Sequence, residues 1–241
     1  MTAIDEAVAG PGRRRRGRRK RRLSARQELP LLVGVALVLA LLVKTFLVQA
    51  FVIPSASMEP TVMTHDRILA NKLVYAVRDP HRGEVVVFSR TGKWPVKEAP
   101  APTGILGALG APLRWVGLAP SGTDFIKRVI GLPGDTVSCC DATDHILVNG
   151  QPLTEPYAVG SNTLSSRALG FTSVTVPLGQ LFVMGDNRGD SLDSRYYGLV
   201  PISSVIGRAV VVMYPVSHWK GLPVPATVEQ FTAKPPAAAA G

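Results

Sequence analysis

Apolar side chains are spread unevenly along this chain, and the pattern changes character near residue 53. Residues 29–53 read LPLLVGVALVLALLVKTFLVQAFVI, in which Lys44 is the one charge and Gln49 the other strongly polar residue. An unbroken apolar run predicts a helix. At about 1.5 Å per residue it rises roughly 37 Å, more than the ~30 Å hydrocarbon core of a bilayer. Pro30 falls in the first turn, where a missing N–H costs little. Lys44 lies toward the far end, where its ammonium can reach the headgroups while its stem stays in lipid.

Beyond residue 53 the apolar runs are short and bounded by turn residues. Strands are predicted at 67–70, 84–88, 125–130, 146–148, 174–176, 181–184 and 205–214. The 146–148 run meets Asn149-Gly150, a strong hairpin signal. The last run is too short to cross a membrane and is interrupted by Arg208. Many short strands with Gly/Pro turns and no convincing soluble helix indicate an all-β domain over residues 54–219. Within it, residues 91–122 carry Pro95, Pro100, Pro102, Pro112 and Pro120 and read as a loop insertion. Residues 220–241, rich in Pro and Ala, read as a flexible tail.

The net charge of +10 at first suggests nucleic acid as a partner. Its distribution argues otherwise. Ten Lys/Arg and three Asp/Glu lie in residues 1–28, leaving 17 basic and 14 acidic residues for the rest. The excess belongs to a disordered tail, not to a folded binding face. Residues 13–22, RRRRGRRKRR, directly precede the apolar helix, which predicts a cytoplasmic N-terminus and everything after the helix outside. A cleaved secretory signal is the alternative, with Val48-Gln49-Ala50 as its cleavage site. The apolar run exceeds the usual 7–15 residues of such signals, which favours a retained anchor. The two cysteines, Cys139 and Cys140, are adjacent, so no disulfide framework is expected. The four histidines are scattered, and neither a metal site nor a cofactor is predicted.

Three polar clusters could carry chemistry. PSASMEPT at 54–61 follows the helix directly; alone it reads equally as a membrane-exit linker. Lys127 sits in the apolar run 125–130, where alternation puts Phe125, Lys127 and Val129 on one face and Ile126, Arg128 and Ile130 on the other. A lysine held away from water loses its charge more easily and can serve as a base, which Arg cannot. Spacing alone favours a solvated edge strand instead. GDNRGDSLDSR at 185–195 holds three acids, two arginines and two serines. A calcium loop fits poorly with the arginines; a loop braced by Asp/Arg pairs fits better.

Taken together, the segments resemble the bacterial type I signal peptidases. FVIPSASMEPT (51–61), DRILANK (66–72), RGEVVVF (82–88), KRVIGLPGD (127–135) and the 185–195 segment resemble that family's boxes, in the family's order. The resemblance implies an all-β catalytic domain of antiparallel sheets behind a single N-terminal transmembrane helix. It implies a serine endopeptidase of the bacterial plasma membrane, acting as a monomer beside the lipid bilayer. Its substrates are signal peptides of secreted pre-proteins, cut after small-x-small sites, with no nucleic acid involved. Position by position, it makes Ser57 the nucleophile and Lys127 the general base. Ser55 lends its hydroxyl to the oxyanion hole, beside the Ser57 N–H, and Ser191 orients the Lys127 amine. Asp186 with Arg128, and Asp193 with Arg195, become structural ion pairs. Phe51, Ile53, Pro54 and Ile126 line pockets for small side chains. His65 stands where glycine is expected, and Ala56 where glycine is common.

Overall fold

The structure, a computed structural model, describes residues 25–42, 47–95 and 124–233. The basic cluster, Lys44 and nearly all of the 91–122 insertion lie outside the described residues. The described chain forms, in order, α1 (Ala25–Leu42), β1 (Val48–Val52), β2 (Arg67–Asn71), α2 (Val74–Val77), β3 (Val85–Ser89), β4 (Asp124–Gly131), β5 (Thr136–Cys139), β6 (Ile146–Val148), β7 (Gln151–Pro152), α3 (Asn162–Ala168), β8 (Ser173–Thr175), β9 (Gln180–Met184), α4 (Ser194–Tyr197), β10 (Val200–Pro201), β11 (Val205–Tyr214), β12 (Lys220–Gly221) and α5 (Ala226–Ala233). Two compact units divide between residues 39 and 40.

The fold is mostly β, and the named strands pair antiparallel. One sheet runs β1-β2-β11-β3-β4-β9-β10, with β12 beside β11; a smaller one runs β7-β6-β5-β8. The uninterrupted apolar run of β3 reflects burial on both faces of the large sheet. Val85 and Val87 join Ile53, Met58, Ile68 and Ile126 in one buried cluster. Val86 and Phe88 face the other way, into a cluster with Trp94, Phe125, Val129 and Val183. β4 is buried along almost its whole length for the same reason. The small sheet covers a third cluster of Ile130, Val137, Ile146, Val148 and Phe182. The β6–β7 hairpin turns at Asn149 (φ 53°) and Gly150 (φ 75°), the left-handed pair that a two-residue turn of this kind requires.

Four expectations need correction. Of the helix expected over 29–53, residues 29–42 belong to α1, residues 43–46 lie outside the described residues, and Val48–Val52 is a strand in full register with β2. The reason is packing: as a strand the segment pairs with β2 and buries Phe51 and Ile53 in the first cluster. Among the described residues no helix is long and apolar enough to cross a membrane. The tail expected from 220 onward is ordered to residue 233: β12 pairs with β11, Leu222 enters the first cluster and Val228, on α5, the third. Its few apolar residues matter more than its Pro/Ala composition. Short soluble helices also exist; α3 is capped by Ser161, whose hydroxyl accepts the Leu164 N–H at 3.1 Å. Finally, Cys139 and Cys140 form a disulfide, with the peptide between them cis.

Candidate active site

The segment after β1 is held where it leaves the sheet. Ile53 N–H donates to Asp66 O at 3.0 Å, and His65 N–H returns a bond to Ile53 O at 2.7 Å. The φ of His65 is 68°, in the left-handed region that favours glycine, which accounts for the expectation of glycine at this turn. A 3₁₀ turn, Ala56–Met58, follows. Met58 and Val62 are fully buried in the first cluster and fasten the turn to the core. Ser57 directly precedes the first of these anchors and is 6% exposed.

β4 brings Lys127 to the same place. It is 4% exposed, and its Nζ lies 2.5 Å from Ser57 Oγ. Ser55 Oγ is 3.3 Å from Ser57 Oγ. A groove of about 190 Å³ opens over these groups. Its lining includes Pro54 and Ile126 from the sequence expectation, whereas Phe51 and Ile53 are buried in the core below. The structure adds Asp124, Phe125, Asp190, Leu192 and Tyr197 to the lining. Phe125 was legible as a neighbour of Lys127 on one strand face. Leu192 and Tyr197 carried no sequence signal, because they come from an irregular loop and a short helix.

The 185–195 segment closes the site from the other side. Arg128 meets Asp186 through two bonds, Nε–Oδ1 at 2.8 Å and Nη2–Oδ2 at 2.6 Å, with both side chains buried. Thr61 Oγ1 donates to the same carboxylate at 2.5 Å, so Asp186 joins β4 to the serine segment. Asp193 binds Arg195 with Nε–Oδ1 at 2.8 Å and Nη2–Oδ2 at 2.9 Å. Both expected pairs are therefore formed. Ser191 donates to Asp193 Oδ2 at 2.7 Å, which leaves its oxygen lone pairs available to accept a bond. Gly185 is fixed by sterics: a Cβ there would meet Ser191 Oγ and Ser57 O, each at 2.3 Å. A third buried pair, Arg188 with Glu155 at 2.6 Å, was not foreseen, because Glu155 lies far away in sequence. Among the described residues, no group of three or more His, Cys, Asp or Glu is arranged to hold a metal ion.

A family profile described as "Signal peptidase, peptidase S26" matches residues 26–214. A probable signal peptidase I of Mycobacterium leprae is 37% identical over 231 residues, spanning 83% of this chain and 80% of that protein. A probable signal peptidase I-2 of Synechocystis is 39% identical over 189 residues, 78% of this chain and 73% of that protein. A crystal structure of a signal peptidase I from Enterococcus faecalis aligns with 54% of this chain and 97% of that one, at 31% identity and a TM-score of 0.34. The protein is an enzyme, a serine endopeptidase. More narrowly, the chain belongs to the signal peptidase family, peptidase S26.

Asp193 makes the site sensitive to acid. Burial alone would raise its pKa. The bonds and charge of Arg195 and the Gly185 N–H outweigh burial and hold the carboxyl below its usual range. A depressed carboxyl stabilises the fold fully above its unfolded value of about 3.9, and that contribution is lost as pH falls through the lower folded value. Melting temperature should therefore fall once pH drops below about 4, and less steeply in Asp193→Asn, which starts less stable. Identical acid profiles for the two proteins, followed by circular dichroism, would refute this role for Asp193.

Proposed function

We propose that this enzyme removes N-terminal signal peptides from exported pre-proteins, with Ser57 as nucleophile and Lys127 as general base. The observation that carries the reading is the buried 2.5 Å contact between Lys127 Nζ and Ser57 Oγ at the base of a groove. A serine hydroxyl attacks poorly until a base takes its proton. In its neutral form the Lys127 amine accepts that proton as Oγ bonds to the scissile carbonyl carbon. The ammonium then protonates the departing amine, leaving an acyl-enzyme. A water attacks the ester, gives its proton to the same amine, and Ser57 is regenerated with its proton returned. The Ser57 N–H and the Ser55 hydroxyl stabilise the oxyanion, and one such donor is typically worth ~10²–10³ in rate. Ser191, held by Asp193, accepts from and orients the Lys127 amine. The two Asp/Arg pairs brace the strand and the loop that carry these groups.

The groove also supports a preference for small-x-small sites. β4 pairs with β3 along residues 124–128, but with β9 only from Arg128 onward. We assign an extended substrate peptide to the groove beside Ile126 of β4. Pro54 and Ile126 line that groove, and we assign to them the walls that would admit small side chains best.

The proposal includes a place of work. Leu29, Leu32, Val33, Leu37 and Val38 of α1 are all at least half exposed, and at helical spacing they point to every side. Apolar residues on every side of a helix call for an apolar surrounding. The run from 29 to 47 continues that character, and residues 13–22 supply the positive flank. We therefore assign the N-terminal segment to the plasma membrane, with the basic tail cytoplasmic and the catalytic domain outside. Anchoring there raises the effective concentration of a cleavage site held at the same surface.

Ser57→Ala should abolish cleavage of a pre-protein while leaving the melting temperature unchanged; substantial residual cleavage would sink the nucleophile assignment. For the anchor, the full chain should float with phospholipid vesicles in a density gradient, and a chain lacking residues 1–46 should stay at the bottom. Equal flotation of both would contradict it.

A further inference from the structure

The peptide plane that carries the Ser57 N–H is gripped from the 185–195 loop, and none of the roles assigned above uses that grip. Asn187 supplies this grip through its side chain and holds the peptide that follows through its backbone. Its backbone N–H donates to Ser57 O at 3.1 Å, and its side-chain Nδ2 donates to Ala56 O at 3.3 Å. Ala56 O also accepts the Glu59 N–H at 3.0 Å, but that bond lies within the same turn and moves with it. The Asn187 bond reaches across to a separate, fixed body. Arg188, next in sequence, donates through Nε to Gly185 O at 2.9 Å and pairs with buried Glu155. Gly185 in turn has no room for even a Cβ against Ser57 O.

The direction of the Ser57 N–H follows from this grip. The Ala56–Ser57 peptide is trans, the cis bonds being elsewhere. In a planar trans peptide the C=O and N–H point in opposite directions. Whatever fixes Ala56 O on one side fixes the Ser57 N–H on the other. A bond accepted by that carbonyl also polarises the amide and strengthens its N–H as a donor.

We infer that Asn187 is a positioning residue of the oxyanion site: by holding Ala56 O, its side-chain amide aims the Ser57 N–H at the developing oxyanion. The inference rests on the reading of Ser57 as nucleophile. It predicts a defect confined to the transition state, since the grip lies on the far side of the peptide from the substrate.

The test uses the full chain in detergent and a pre-protein substrate. Asn187→Ala keeps the backbone bond to Ser57 O and loses the Nδ2 bond. It should lower kcat about tenfold with KM within about twofold. Asn187→Asp, of equal size but offering only acceptors to Ala56 O, should lose at least as much, and Asn187→Gln should recover part of the rate. A peptide boronic acid provides the readout that a merely structural role would not move. Ser57 Oγ adds to its boron, the hydroxyl proton passes to Lys127, and the tetrahedral anion occupies the oxyanion site. Its affinity should fall by the same factor as kcat/KM across the series. Wild-type boronate affinity in Asn187→Ala, or a rise in KM at unchanged kcat, would overturn the inference. Ser57→Ala separates the two levels: if it is inactive while Asn187→Ala is normal, only the inference fails, and if it is active, the parent reading fails.

Discussion

Arginine cannot shed its charge, and Arg128 stands in the interior of the sheet. Only a carboxylate meeting both of its nitrogens makes that position tolerable, and Asp186 does so from the loop that follows β9. Removing one partner of such a buried pair typically costs ~3–5 kcal/mol, because the other is left uncompensated. Much of the site depends on this pairing. β4 cannot slide relative to the 185–195 loop without breaking it, and Thr61 ties the serine segment to the same carboxylate. Lys127, next to Arg128 along the strand, is thereby set against Ser57.

The remaining charges extend this logic. Asp193 gathers Arg195, Ser191 and the Gly185 N–H on one carboxylate, while Arg188 spans Glu155, Gly185 O and Asn162. Arg128 also lies over the Tyr157 ring, 4.1 Å from its centre. A buried polar network with its members satisfied is rigid, and rigidity is what the proposed Ser57–Lys127 pair would need to stay at hydrogen-bond distance. It also explains the division of labour between neighbours in β4. The guanidinium, permanently charged, is fastened in a carboxylate; the amine, able to exist neutral, meets the hydroxyl.

Local pattern revealed most of the strands. The 205–214 run coincides with β11, and Asn149-Gly150 makes the hairpin turn. Residues 48–53 were misread because an amphipathic strand directly after an apolar helix shares its hydrophobicity. Only pairing with β2 and the burial of Phe51 and Ile53 separate them. Composition misled at residues 220–233, where Leu222 and Val228 outweigh the surrounding Pro and Ala. In the site, Ser57 and Lys127 were picked out only by the resemblance, since residue type and spacing alone pointed as readily to a linker and a solvated edge strand. Residues acting through backbone contacts were not legible: Asn187 matters for where its amide points, and Glu155 for a partner 33 positions away. Tertiary geometry of that kind leaves no local periodicity to read.

The central claim is that Lys127 is the base for Ser57. Its most direct test is cleavage of a model pre-protein by the detergent-purified enzyme and by Lys127→Ala, with the new N-terminus identified by mass spectrometry. The account predicts cleavage by the wild-type enzyme alone, directly after a small-x-small sequence. Equal cleavage by both would contradict it and place the catalytic base elsewhere.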